Sequence, residues 1–123
     1  MINQDKTKIR NFQLMKHIFD NLDIVTTSYN ISKNAISVIQ QLCLLHNSFK
    51  PYIEFQSKDF TLSRKSFYRT LEKLENENII KVVSKPINSK SIYQAYFTLS
   101  FIRSVCEPEF AIIYEDWTNQ FNE

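Results

Sequence analysis

Glycine is absent from this chain of 123 residues, and proline occurs only three times. Without glycine, the chain has neither the Gly-rich loop of P-loop nucleotide-binding proteins nor a dinucleotide-binding fingerprint. Its tight turns must use other residues, and Asn78 and Asn88 stand at two positions where such turns are needed. Asn suits these positions because it tolerates the left-handed backbone conformation better than most residues that carry a side chain. The composition therefore excludes two large classes of nucleotide-dependent enzymes.

Cysteines and long apolar runs are also scarce. The two cysteines, Cys43 and Cys106, lie far apart and form no CxxC pair, whereas a disulfide framework needs more cysteines and a secretory context. The N-terminus does not resemble a signal peptide, and no run of about 18 apolar residues occurs. We therefore expect a cytoplasmic protein with reduced thiols and no membrane-spanning segment.

Motifs for metal binding and catalysis are missing as well. His17 and His46 are the only histidines. Cys43 and His46 are three residues apart, a spacing that supplies two zinc ligands from one helix face, but no second pair completes such a site. No motif marks a nucleophile with a positioned base and an orienting acid. The sequence thus predicts no enzyme activity, no cofactor, no metal and no small-molecule ligand.

The chain does contain enough apolar material for one folded domain. Hydrophobic residues make up 43% of it and include ten Phe, which excludes wholesale disorder, and 123 residues are short for two domains. The net charge of +2 is unevenly distributed: residues 58–90 hold eight Lys or Arg against four Asp or Glu, whereas residues 104–123 hold five acids and no Lys or Arg. The basic segment is expected to form a surface that binds phosphate groups, and the acidic segment is expected to lie on a different surface.

The spacing of apolar residues predicts a mainly helical α+β domain that spans residues 1–123. Ser32 and Ser63 are the predicted N-caps of two internal helices, and Pro108 is the predicted first residue of the last helix. The predicted elements are an N-terminal helix over 5–22, a connection over 23–30, a helix from 32 to about 47, an extended stretch over 52–55, a short helix over 57–60, a longer helix over 63–77, strands over 80–84 and 93–99, and a C-terminal helix over 108–121.

The longer internal helix has two chemically different sides. Phe67, Leu71 and Leu74 fall at i, i+4 and i+7 and predict one buried stripe. At 100° per residue, Lys65 and Arg69 lie opposite that stripe. A helix that buries its apolar side and presents cations from its N-terminal half suits a DNA major groove. The alternative is a solvated helix face with Glu–Lys pairs, which the three Glu of the later turns favour there.

Residues 57–99 resemble the winged helix-turn-helix of bacterial regulators and of phage or plasmid replication proteins. The resemblance rests on Leu-Ser-Arg-Lys-Ser-Phe at 62–67, on Leu71 with Leu74, and on Glu-Asn-Ile-Ile at 77–80, where Asn78 stands in place of the usual glycine. It extends over about residues 32–99, and the flanking helices resemble those of MarR-type dimeric regulators. It implies a winged helix-turn-helix with a two- to three-stranded wing and flanking N- and C-terminal helices.

That resemblance implies sequence-specific binding of double-stranded DNA, in transcriptional regulation or in plasmid or phage replication control. Lys65 and Arg69 are expected to contact base edges, and Tyr68 a thymine methyl group or a phosphate. Lysines of the wing are expected to contact the DNA backbone or a minor groove. The residues predicted to contact DNA are Ser57, Lys58, Thr61, Ser63, Arg64, Lys65, Ser66, Tyr68, Arg69, Lys73, Lys85, Asn88, Ser89 and Lys90.

Apolar stripes on the N- and C-terminal helices predict either packing within the domain or a homodimer interface. A homodimer would present two recognition helices to DNA half-sites about one helical turn apart. The residues predicted for dimerisation are Phe12, Met15, Phe19, Leu22, Phe110, Ile113, Tyr114, Trp117 and Phe121.

Two other functions stay open at this point. A winged helix can also serve as a protein–protein interaction module, in which case the loss of Lys65 and Arg69 would leave activity intact. A regulator can also sense a small molecule in a pocket between the terminal helices and the winged core, in which case the ligand would change the affinity for DNA.

Overall fold

The computed structural model of the chain describes residues 4–46, 52–84 and 92–119. Within these ranges the chain forms six α-helices, one 3-10 helix and three strands. In chain order they are α1 (Gln4–Asp20), α2 (Leu22–Ser28), α3 (Lys33–Leu45), β1 (Ile53–Phe55), the 3-10 helix (Ser57–Asp59), α4 (Arg64–Asn76), β2 (Ile80–Ser84), β3 (Tyr93–Phe97), α5 (Leu99–Val105) and α6 (Pro108–Asn119). The predicted α+β, mainly helical class is confirmed.

The three strands form one antiparallel sheet in the order β1–β3–β2. Ile53 of β1 pairs with Ala95 of β3, so the short extended stretch before the 3-10 helix is a third strand of the sheet. The register of the β2–β3 pair shifts between Val82 and Ser84. The extra residue there, Val83, forms a β-bulge, which bends the strand locally.

Helix α3 lies at the centre of the core, as its largely apolar sequence predicts. Ala35, Val38, Ile39 and Leu42 are all fully buried and fall within about 100° of the helix circumference, so they form one buried face. Leu44, on the opposite side, is 65% exposed, so the prediction that the helix is buried on more than one side is wrong. The side-chain oxygen of Ser32 accepts the N–H of Ala35 at 3.2 Å, which confirms the predicted N-cap. Because α3 contacts α1, α2, α4 and β1, it joins the N-terminal helices to the sheet.

The predicted connection over 23–30 is wrong for most of its length, because α2 occupies it. Helix α1 ends at Asp20, before the predicted end of the N-terminal helix. In α2, both threonines donate their hydroxyl hydrogen bonds to the Asp23 carbonyl, at 2.7 and 2.9 Å. Val25 is fully buried, and the free energy of burying it outweighs the weak helix propensity of this Thr-rich segment.

A second difference follows β3, which ends at Phe97 because α5 begins at Leu99. The Thr98 hydroxyl caps α5: it accepts the N–H of Phe101 at 3.1 Å and donates to the Asn78 carbonyl at 2.6 Å. Apolar and polar residues alternate from 93 to 99, so periodicity alone extends the strand to Leu99. A threonine directly before a run of apolar residues was the available sign of a new helix.

The turn between α4 and β2 uses Asn78, as predicted. Its φ angle is +58°, in the left-handed region. The N–H of Asn78 donates to the Glu75 carbonyl and that of Ile79 to the Leu74 carbonyl, each at 3.0 Å. These bonds close the end of α4 and start the chain into β2. The other predicted turn residue, Asn88, lies outside the described residues.

Helix α3, strand β1, the 3-10 helix, helix α4 and strands β2 and β3 follow one another in the order that the winged helix-turn-helix resemblance implies. The structure is compatible with that arrangement. The first helix of the predicted helix-turn-helix, expected to be short, is a three-residue 3-10 helix. Within the described ranges, no helix combines the length and the apolar character needed to cross a membrane.

Candidate functional site

Helix α4 is amphipathic in the way that its sequence predicts. Phe67, Leu71 and Leu74 are buried, and Thr70 is buried beside them. The Thr70 hydroxyl donates to the Ser66 carbonyl at 2.7 Å, so its polar atom has a partner within the helix. Since α4 contacts α3 and β2, this stripe fixes the helix to the core and leaves the opposite side to solvent.

Ser63 is the N-cap of α4, as predicted. Its side-chain oxygen accepts the N–H of Ser66 at 3.2 Å. Both serines are among the predicted DNA contacts, and in the structure they hold the first turn of the helix in place. That turn carries Arg64 and Lys65, so the cap positions two of the predicted cations.

The first two turns of α4 present an exposed cationic face, formed by Arg64, Lys65 and Arg69. None of these three side chains forms an ion pair with a residue that the structure describes. Lys65 and Arg69 are four residues apart and therefore lie side by side on the helix surface. No acidic residue occurs between Thr61 and Leu71, so this cationic face meets solvent without a neutralising neighbour in sequence.

The later turns of α4 differ from the first two. Lys73 Nζ lies 2.9 Å from Glu77 Oε1, and Glu75 Oε2 accepts the N–H of Val82 at 3.4 Å. Lys73, a predicted DNA contact, is therefore already paired in the free protein. The Glu–Lys pairing that the sequence favours for these turns is confirmed here.

The 3-10 helix before α4 adds one more exposed cation, Lys58, and is followed by the exposed Thr61. Its single carboxylate, that of Asp59, accepts the N–H of Gln56 at 2.7 Å in a capping box. The Asp59 carboxylate thus stabilises the backbone at the start of the 3-10 helix. Ser57, the third predicted contact of this segment, is partly buried.

Tyr68 lies at the edge of the cationic face and is 44% exposed. Its ring is 6.5 Å from that of Tyr93, measured between centroids. Burial, and then the contact with Tyr68, raise the pKa of Tyr93 to about 12, while the Arg64 guanidinium opposes the rise. Tyr68 and Tyr93 therefore lie beside one another at the edge of the cationic face.

Sequence reasoning did not include Tyr93 among the site residues. The alternation of β3 assigns it to the buried side of a strand, and it is indeed only 8% exposed. Periodicity cannot show that its ring packs beside Phe67 and Tyr68 of α4, because that contact depends on how the helix packs on the sheet. The predicted wing contacts Lys85, Asn88, Ser89 and Lys90 lie outside the described residues.

The residues predicted for dimerisation differ in how far the chain itself already buries them. Met15 and Tyr114 are buried within the chain itself, so their side chains already have intramolecular partners, whereas Phe12 is 64% exposed. Phe19, Leu22 and Phe110 are partly buried against the core. The positions outside the described side chains are Ile113, Trp117 and Phe121.

A groove of about 350 Å³ runs along α1 and α3. Three members of the predicted dimer set, Phe12, Met15 and Phe19, line it. Its one described ion pair joins Lys16 Nζ and Asp20 Oδ2 at 2.6 Å. The full lining consists of Phe12, Met15, Lys16, Phe19, Asp20, Cys43, Leu44 and His46. The groove is thus mostly apolar.

Cys43 and His46, the pair with zinc-ligand spacing, lie along this groove. Burial raises the pKa of the Cys43 thiol to about 12, with Cys106 adding to the rise. Burial also lowers the pKa of His46 to about 4. A protonated thiol is a poor metal ligand, and within the described ranges no three His, Cys, Asp or Glu residues group to hold a metal ion.

The lowered pKa of His46 predicts acid sensitivity. In the unfolded chain His46 binds a proton near its ordinary pKa of 6.5, whereas in the folded chain it does so only near 4. The free energy of unfolding is therefore expected to fall as the pH drops from 6.5 to 4, by roughly 2–4 kcal/mol in total. Urea denaturation at several pH values across that range measures this change in the free energy of unfolding.

The other histidine supplies a matched control for this measurement. The H46Q variant is expected to lose the part of the pH dependence that His46 causes, whereas H17Q is expected to keep it because His46 is intact. An H46Q curve with the same slope between pH 4 and 6.5 as the wild-type curve would contradict the prediction.

Comparisons with protein-family models, with curated proteins and with solved structures find no match to this chain.

Proposed function

We propose that this protein binds double-stranded DNA through helix α4, as a winged helix-turn-helix protein that acts in transcriptional regulation or in plasmid or phage replication control. The observation that carries the proposal is the cationic face of α4. Arg64, Lys65 and Arg69 are exposed and free of ion pairs with the described residues, and Lys65 and Arg69 lie opposite a stripe that is buried in the core. An exposed surface of this kind attracts phosphate from solution.

The dimensions of α4 support a role as a recognition helix. Its 13 residues span about 20 Å at 1.5 Å per residue, and the major groove of B-DNA, about 12 Å wide, admits one α-helix. The cations occupy the N-terminal half of α4, which is the half that contacts base edges in helix-turn-helix proteins. The acidic and paired later turns would then lie away from the bases.

The roles of the cations follow from their positions. Lys65 and Arg69 lie opposite the buried stripe and would point to base edges, where an Arg pairs with guanine through two hydrogen bonds. Arg64, at the first position of α4, and Lys58, on the 3-10 helix, lie to the side and would contact phosphates. Lys73 is paired with Glu77 in the free protein, and this exposed ion pair would open for Lys73 to contact DNA.

A homodimer is the proposed active form. The exposed Phe12 and the apolar groove along α1 and α3 favour a second copy of the chain as the occupant of this surface. Two α4 helices would then address half-sites about 34–36 Å apart. Measuring how many chains bind to each duplex tests this homodimer, and we expect two chains per duplex.

The test is a fluorescence-anisotropy titration of the full chain with duplex DNA. The duplex is obtained by selection from a random library, and a scrambled duplex of equal length is the control. We expect at least about 10³-fold tighter binding to the selected duplex. We also expect affinity to fall as the salt concentration rises from about 50 to about 200 mM. The logarithm of the binding constant should decrease linearly with the logarithm of the salt concentration, with a slope of about 0.9 for each phosphate that the protein neutralises.

Two results would contradict the proposal in different ways. Equal affinity for the selected and scrambled duplexes would show a backbone binder without sequence specificity. Absence of binding at low salt would remove the DNA function and favour the protein–protein interaction module, for which the exposed Phe12 and Leu44 beside the groove are the natural contact residues.

A further inference from the structure

Glu72 differs from the two glutamates that follow it on α4 and at its C-cap. Glu75 Oε2 accepts the N–H of Val82 at 3.4 Å, and Glu77 Oε1 lies 2.9 Å from Lys73 Nζ, so both of these carboxylates have a partner within the fold. Glu72 is exposed and forms no ion pair with a residue that the structure describes. Its negative charge is therefore available to a binding partner.

Glu72 lies on the same side of α4 as the two proposed base contacts. At 100° per residue, Lys65, Arg69 and Glu72 fall within an arc of about 60°, on the side away from the buried Phe67 and Leu74. Arg69 and Glu72 are three residues apart and are therefore neighbours on the helix surface. At 1.5 Å per residue the three side chains span about 10 Å of helix, or about three base pairs at about 3.4 Å each. Glu72 thus lies at the boundary between the cationic face and the paired later turns.

A carboxylate at this boundary opposes general binding to DNA, because it repels the phosphates that the cations attract. Towards the bases it has a narrower choice of partners. An ionised carboxylate only accepts hydrogen bonds, and in the major groove guanine and thymine present acceptors. Adenine presents its N6 donor beside the N7 acceptor, whereas cytosine presents the N4 amino group alone. The base that fits Glu72 best is therefore cytosine.

We propose that Glu72 is a specificity-determining residue that accepts a hydrogen bond from the N4 amino group of a cytosine, next to the base that Arg69 contacts. The inference rests on the proposed function, since it assigns Glu72 a base in the duplex that α4 binds. Arg69 pairs with guanine through two hydrogen bonds. The preferred target is then a duplex with G·C pairs at two neighbouring positions, and Glu72 contributes selectivity at the expense of general affinity.

The test compares the wild type with E72A on the duplex that the wild type selects and on its single base-pair variants. We expect a cytosine at one position next to the guanine, where replacing its base pair weakens wild-type binding about 5- to 150-fold. E72A is expected to bind all four base pairs at that position nearly equally and to keep the preference for guanine. It is also expected to bind the scrambled duplex more tightly than the wild type does, because it lacks the repelling charge.

Two further variants separate the hydrogen bond from the charge. E72Q has nearly the same shape as the wild type, and its amide pairs with adenine N6 and N7, so its preference should move from cytosine towards adenine. The matched control is E109Q, which removes an exposed carboxylate from α6 and is expected to leave the preference at every position unchanged. Urea denaturation checks that each variant is folded.

Each outcome decides the inference. A preference for cytosine that E72A loses at one position, while the other positions keep theirs, supports it. An E72A protein that keeps every base preference of the wild type would overturn it, whatever its overall affinity. A loss spread over all positions, or a position that depends on Glu72 but prefers another base, would also overturn it and leave the proposed function intact. Absence of selective binding by the wild type to any duplex would overturn both.

Discussion

Replacing both Lys65 and Arg69 with alanine is expected to weaken binding to the selected duplex at least about 30-fold. Each specific contact to a base contributes about 1–3 kcal/mol, so two contacts contribute about 2–6 kcal/mol, and every 1.4 kcal/mol is a factor of ten. Both side chains are exposed, so the free energy of unfolding should change by no more than about 0.5 kcal/mol each. Anisotropy titration and urea denaturation measure the two quantities.

The matched control is K33A/R103A, which removes the same net charge from other elements. Lys33 is exposed at the start of α3, and Arg103 on α5 lies 3.7 Å from Glu115. We expect this variant to bind the duplex nearly as well as the wild type, because exposed charges beyond about 8–10 Å are largely screened. Equal losses in the two double variants would show that only total charge matters, and would contradict a recognition surface on α4.

Replacing Phe67 with alanine is expected to lower the free energy of unfolding by about 3–5 kcal/mol. Phe67 is fully buried, and its ring packs against Phe60 at 5.1 Å and Tyr93 at 5.7 Å between centroids. Removing it leaves a cavity where α4 meets the sheet and the 3-10 helix. For a domain at the lower end of the usual range of about 5–15 kcal/mol, this loss is large enough to leave part of the protein unfolded.

Urea denaturation at neutral pH measures this loss, with two variants as controls. F67L retains most of the apolar volume and is expected to lose clearly less than F67A. I112A removes an apolar side chain that is 60% exposed on α6 and is expected to change the free energy of unfolding by about 0.5 kcal/mol or less. A loss of only about 1 kcal/mol in F67A would contradict the assignment of Phe67 to the centre of the helix–sheet contact.

The features that were predicted correctly are those that depend only on residues close together in the sequence. The stripe of α4, its Ser63 cap, the Ser32 cap of α3 and the turn at Asn78 are confirmed. Each depends on the spacing of apolar residues or on a hydrogen bond that spans about one helical turn. These features can therefore be predicted from the sequence without knowledge of the fold.

The errors arose where distant contacts outweigh local preference. Helix α2 forms in a Thr-rich segment because Val25 becomes fully buried. Helix α5 replaces the last residues of a predicted strand because the Thr98 hydroxyl both caps it and bonds the Asn78 carbonyl, twenty residues earlier. Neither burial nor a bond across twenty residues can be deduced from a local pattern.

The sequence by itself determined the α+β class, the amphipathic character of α4 and the clustering of cations in its first two turns, because helical periodicity places residues three and four apart on one face. The tertiary structure alone decided that Arg64, Lys65 and Arg69 form no ion pair with the described residues, that Met15 and Tyr114 are buried within the chain, and that the Tyr93 ring packs beside that of Tyr68. Those outcomes depend on how α4 packs against β3 and how the terminal helices cover the core, and such packing brings together side chains that lie far apart in sequence.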